Sequence, residues 1–144
     1  MNENRYYQQL TKEALSLMLN FTKINYPIVQ LLLAKKMHMA NDIRYRVKLS
    51  DGVHSYSCCI IIEPFVTKIE ENEFDLYCLL KINRFSLTLS RDHWIIVLHD
   101  LQLVAKGSEV GGLLGSPVEF ERDRIPPLRF VCQGHYQAHY RSLA

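Results

Sequence analysis

Arg44, Arg46 and Lys48 stand at alternate positions in the stretch IRYRVKLS, with Ile43, Tyr45, Val47 and Leu49 between them. A period of two is the pattern of a β-strand with one buried and one exposed face, so three cations project side by side from the outer face. Guanidinium groups held in a row are suited to charge-assisted hydrogen bonds with carboxylates or phosphates. Outward strand residues are often charged for solubility alone, but the next segment argues for more. Ser50-Asp51-Gly52 is a strong hairpin turn, because glycine accepts positive φ without steric cost. The return arm ends in Ser57-Cys58-Cys59-Ile60-Ile61-Ile62, which places apolar groups on both faces. A basic strand beside a partly apolar outer surface fits a groove for a ligand that is both acidic and greasy.

Other chemistries are poorly supplied. Ser, His and Asp occur, but without a Gly-x-Ser-x-Gly elbow, a phosphate-binding glycine loop or a paired-carboxylate setting, and we expect no enzyme. Cys132, His135 and His139 have a spacing that would let metal ligands converge, yet they lack a fourth partner, so neither metal nor other cofactor is expected. The four cysteines (Cys58, Cys59, Cys78 and Cys132) contain no Cys-x-x-Cys pair. Cys58 and Cys59 are strand neighbours that point to opposite faces and cannot both serve one site. They read as reduced thiols in an intracellular protein.

At 144 residues the chain is long enough for one domain with a real core, and 48% hydrophobic with 22% charged residues is an ordinary soluble composition. The net charge is only +2, so attraction for anions must come from local clustering. Residues 26–62 carry five cations against Asp42 and Asp51, whereas residues 63–75 carry five acids against Lys68. The expected molecule is electrically two-sided. No signal peptide opens the chain and no apolar run approaches the roughly 18 residues of a membrane span, so no membrane partner is expected.

The elements that must position these residues follow in order. Residues 1–9 are polar and expected to be a flexible N-terminus. Residues 10–21 form a short amphipathic helix with Ala14, Leu15, Met18 and Leu19 on one face and Thr11 as its N-cap. Pro27 opens an apolar run through Met37 that reads as a buried or barrel strand, with helix as the rival reading. After the hairpin, Pro64 stops the strand and residues 65–71 form a helical turn or two. Residues 74–89 and 94–105 are long strands joined by a turn at Arg91-Asp92-His93, and the second has apolar residues on both faces. Five strands with a helix between the third and fourth is the order of an OB-fold, a mainly all-β, five-stranded Greek-key barrel, here with an N-terminal helix. The glycine-rich stretch 106–120 is a loop over the barrel's end. The OB-fold domain thus spans 10–120, and 121–144 is a tail to which no element is assigned.

At this point a family emerges. Arg44-Tyr45-Arg46 before Ser50-Asp51-Gly52, Leu10-Thr11 at the helix start, Pro27-Ile28-Val29-Gln30, Asn83-Arg84-Phe85 and Gly115-Ser116-Pro117-Val118 run collinearly from Leu10 to Phe120. Together they resemble the N-terminal domain of the large subunit of replication protein A. The resemblance implies a nuclear protein-interaction module for DNA replication, DNA repair and the DNA damage response. In that family a basic groove with an apolar floor takes acidic amphipathic helical peptides of genome-maintenance proteins. Matched position by position, Lys35, Arg44, Arg46, Arg84 and Arg91 are the groove cations, Cys58, Ile60, Ile96 and Leu98 its floor, and Thr88 its polar rim. Trp94 and Ile95 stand where the family has a pair of arginines. Trp94 shares a strand face with Ile96 and Leu98 and is therefore expected to add an aromatic anchor to the groove. The family's large subunit continues into further DNA-binding domains, so other replication protein A subunits are expected partners if this chain is a fragment. The alternative is direct, weak single-stranded DNA binding through the same groove, with Trp94 as the stacking platform.

Overall fold

The alternating segments become the strands of a closed barrel in the computed structural model, which describes residues 3–121 and 137–139. The barrel strands are β1 (Ile28–His38), β2 (Ile43–Ser50), β3 (His54–Ile61), β4 (Leu79–Ser90) and β5 (His93–Ala105). Their order is β1-β2-β3-β5-β4, and Ile28–Gln30 pairing with Leu79–Lys81 closes the ring. Only the β3–β5 contact within this ring is parallel. This is the five-stranded OB-fold that the sequence predicts. Helices α1 (Glu3–Gln9), α2 (Ala14–Leu19), α3 (Val66–Glu70) and α4 (Gly107–Val110) surround it. Two short strands extend the sheet: β6 (Val118–Glu119) beside β3, and β7 (Gln137–His139) parallel to β4 at Ser86–Thr88.

The hairpin turn does more than reverse the chain. Asp51 is fully buried, and its carboxylate accepts three backbone N–H groups: Leu15 at 2.9 Å, Val53 at 2.9 Å and His54 at 2.7 Å. A buried carboxylate is tolerable only when its lone pairs are satisfied in this way. One of the three donors lies at the start of α2, so a turn residue from the barrel caps the helix. The expected Thr11 cap does not form. Glu13 precedes the helix at φ 68° with no side-chain cap, and Thr11 Oγ1 instead accepts the Ile28 N–H at 2.9 Å. Helix α2 buries Ala14, Leu15, Met18 and Leu19 against the barrel, as its spacing requires.

Residues 3–9, expected to be loose, are helical, and the Tyr7 ring lies against the turn. Gly52 has φ +93°, and a Cβ there would come within 3.0 Å of that ring. Only glycine satisfies both conditions. At the same end of the barrel, where Gln30 pairs with Ser50 across the β1–β2 ladder, buried Gln30 binds the glycine-rich loop. Its amide nitrogen donates to Gly112 O at 2.9 Å and Tyr77 O at 3.0 Å, while its oxygen accepts the Leu114 N–H at 3.0 Å. Leu114 is thereby held in a satellite core with Leu10 and Leu79.

A candidate peptide-binding cleft

Across the outer face of β2, β3 and β5 lies a cleft of about 350 Å³. Its floor is apolar: Met37, Met39, Cys58, Ile60 and Ile95 line it, with Arg44, Arg46, Arg91 and His93 around them. Cross-strand register explains the grouping. Met37 faces Arg44 and Lys35 faces Arg46 across the β1–β2 ladder, and Arg46 faces Ile60 across β2–β3. Directly paired residues share a face, so cations and floor residues alternate across neighbouring strands.

The cations are not equivalent. Arg44 already has an acid, Asp42, at 3.3 Å. Arg46 is instead positioned by the opposite strand, its Nε donating to Ser57 O at 3.2 Å with the guanidinium 3.7 Å from Cys58 Sγ. Among the described residues neither Arg46 nor Arg91 pairs with a carboxylate, and Lys35, at the flank beside Arg46, is also without one. The acidic stretch turns elsewhere. Glu70 pairs with Lys36 at 3.0 Å and Glu73 with Lys68 at 3.2 Å. The Glu70 hydrogen bond holds the Lys36 ammonium above its ordinary pKa. Unneutralised guanidiniums thus border an apolar floor, an arrangement that can accept a carboxylate and an aliphatic side chain together.

Five expected site residues line this cleft: Arg44, Arg46, Cys58, Ile60 and Arg91. Three do not, because the face of β5 is opposite to the one expected. Trp94, Ile96 and Leu98 are interior, at 2%, 0% and 0% exposure. Cys59 aligns with Ile96 and Ile61 with Leu98 in the parallel β3–β5 ladder, so the even-numbered β5 residues follow the buried cysteine inward. Trp94 meets Phe21 edge-on at 5.2 Å, and its carbonyl accepts the Tyr56 hydroxyl. Ile95 takes the floor position instead. Thr88, expected on the rim, is buried at 4% and aligned with Ile95 across the β4–β5 ladder, where β7 runs alongside.

Arg84 is displaced altogether. The β4–β5 register slips between Ile82 and Arg84 and again before Phe85, a bulge that breaks the alternation carried along the strand. Arg84 consequently lines a different depression with Lys23, Tyr26 and Asn83. The cleft residues missed in the sequence are Met37, Met39, Ser90, His93 and Ile95. Met37 was recoverable, since it lies two positions beyond Lys35 on the same face.

The thiols divide as strand parity requires. Cys58 is half-buried in the cleft, while Cys59 and Cys78 are interior. Burial pushes Cys59 well above the ordinary thiol range, and burial with the nearby Asp75 charge pushes Cys78 up to about 12. Burial likewise raises Tyr56. Among the described residues no three His, Cys, Asp or Glu side chains cluster to hold a metal. Cys132 and His135 lie outside the described residues, as does the His139 side chain.

The comparisons with known proteins bear on the same region. Residues 10–106 match the family described as Replication factor-A protein 1, N-terminal domain. The chain is 26% identical over 114 residues to the Replication protein A 70 kDa DNA-binding subunit of Gallus gallus, covering 78% of this chain and 19% of that protein. It is 24% identical over 114 residues to the Danio rerio subunit of the same name, with the same coverage. It is 24% identical over 103 residues to the Drosophila melanogaster subunit, covering 68% of this chain and 17% of that one. The chain spans about a fifth of the length of these relatives. With an OB barrel in place and the family match running from Leu10, at the foot of α2, to Lys106, at the end of β5, the chain belongs to the family of N-terminal domains of replication factor-A protein 1.

Proposed function

We propose that the chain is a protein-interaction module that recruits acidic, amphipathic helical segments of genome-maintenance proteins in the nucleus. The observation that carries this reading is the cleft's pairing of an apolar floor with Arg46 and Arg91, neither neutralised among the described residues. An amphipathic helix would lay its apolar anchors on Met37, Ile60 and Ile95 and turn its carboxylates to the arginines. Calling the module non-catalytic belongs to the same reading. So does partnership with other replication protein A subunits.

Single-stranded DNA in this cleft is the weaker reading. Base stacking requires an exposed aromatic platform, and Trp94 is inside the barrel. The test is a calorimetric titration of the chain with an acidic amphipathic helical peptide and with a single-stranded oligonucleotide at one salt concentration. Peptide binding that Arg46→Glu weakens supports the reading. Tighter binding of the oligonucleotide, lost in Arg46→Glu, would replace it.

A further inference from the structure

The depression that receives Arg84 lies about 20 Å from the cleft end of β4, at about 3.3 Å of rise per residue. It holds about 200 Å³. Tyr26 stands over it at 61% exposure, among the most exposed large hydrophobic side chains described. Tyr26 has φ 51°, a left-handed conformation that non-glycine residues seldom adopt and that the following Pro27 disfavours further. Strain of this kind persists where the surrounding structure imposes it and gathers at functional positions.

Cations surround the ring. The Lys81 ammonium is 5.9 Å from the ring centroid, and Lys23 and Arg84 line the same depression. Asp100, aligned with Arg84 across the β4–β5 ladder, makes no ion pair with it, and neither Lys23 nor Arg84 pairs with an acid among the described residues. The β4 bulge centred on Asn83 aims this group outward where the β1–β4 pairing has ended. An exposed aromatic face, flanking cations and a side-chain amide are what a nucleotide needs: a stacking surface, phosphate neutralisation and a hydrogen bond to a base edge. Ile24, Ile82 and Phe85 also line the depression, but Ile82 is interior and Ile24 and Phe85 are partly buried against the core, so its exposed apolar face is the Tyr26 ring.

We infer that Tyr26, with Lys23, Lys81 and Arg84, forms a single-stranded nucleic-acid contact surface separate from the peptide cleft. The test uses the full chain and a labelled twelve-nucleotide thymidine oligomer, followed by fluorescence anisotropy at low salt. Tyr26→Ala is expected to weaken binding on the order of tenfold, since stacking on one aromatic is typically worth that much. Lys23→Gln with Arg84→Gln should lower the slope of log affinity against log salt by about 1.4, at roughly 0.7 per phosphate contact on a single strand. Arg46→Glu should leave oligomer affinity within about twofold. The charge variants sit on the surface and report independently should Tyr26→Ala fold poorly, which circular dichroism would reveal. Absence of binding at low salt would overturn the inference. So would affinity insensitive to both the Tyr26 and the charge variants, or affinity abolished by Arg46→Glu, which would assign the strand to the cleft.

Discussion

The barrel presents two basic faces, and they are built differently. The cleft over β2, β3 and β5 is the larger, floored by methionine, isoleucine and Cys58, and bordered by Arg44 and Arg46 on β2 and by Arg91 in the β4–β5 turn. The Tyr26 face is smaller, assembled from a strained loop and a bulged strand, with its aromatic ring out in solvent. Counting positive residues does not separate them. What does is the apolar partner beside the charge: aliphatic groups recessed in a cleft favour a folded helix, and an exposed ring favours a flat base. The same charge on one small barrel can therefore serve two chemistries.

The largest perturbation lies in the barrel interior. Trp94→Ala should cost about 3–5 kcal/mol of stability, because a large interior side chain leaves a cavity that the barrel cannot fully close. Denaturant unfolding measures this. Peptide affinity of the folded fraction should be unchanged; a loss of affinity without a loss of stability would mean that the cleft reaches Trp94 and the comparison is drawn wrongly.

Next comes Asp51→Ala, expected to cost about 2–3 kcal/mol by leaving buried N–H groups of Leu15, Val53 and His54 without an acceptor. The turn is at the end of the hairpin away from the cleft, while α2 leads directly into the Tyr26 loop. Oligonucleotide affinity should consequently fall more than peptide affinity. Equal losses would show that the two faces are not mechanically separable.

The reach of the sequence was uneven, for physical reasons. The hairpin was legible almost to the residue, because strict alternation of charge with apolar side chains defines both strand and face, and Asp-Gly marks the turn. Cys58 and Ile60 followed from the same parity. Strand β5 was legible as a strand but not as to which side faces in: Trp94, Ile96 and Leu98 compete with Ile95 and Val97, and an apolar run on both faces carries no parity signal. Only the register with β3 decides it, and that is a long-range property. Arg84 was misplaced because a bulge shifts alternation locally and leaves no mark in composition. Helix α1 lacks apolar periodicity and is fixed by packing of Tyr7 on the turn glycine, which again is a contact between distant segments.

Arg46→Glu has a smaller effect on energy but the sharpest one on specificity. Peptide binding should weaken by about 1–3 kcal/mol, since repulsion is added to the lost charge-assisted bond, while unfolding is barely altered. Calorimetry on the folded variant measures it, and unchanged peptide affinity would remove Arg46 from the site.

The smallest effects are read at the thiols. In a Cys132→Ser background, an alkylating reagent should modify Cys58 first and leave interior Cys59 and Cys78 protected. Bound peptide should shield Cys58; bound oligonucleotide should not. Cys78 also contributes to the pH response. Its folded pKa of about 12 lies above the unfolded value near 9.0, so its contribution to stability is complete below about pH 9 and is lost as pH rises toward 12. Comparing the pH dependence of unfolding with that of Cys78→Ala isolates the effect.

The most direct measurement of the central claim is an NMR titration of backbone amides with one acidic amphipathic helical peptide at physiological salt. If the cleft is the recruitment site, the peptide should shift the amides of Arg44, Arg46, Cys58, Ile60 and Ile95 and leave those of Tyr26, Lys81 and Arg84 in place. Shifts concentrated around Tyr26 and Arg84, or no shifts around Arg46 at saturating peptide, would contradict it.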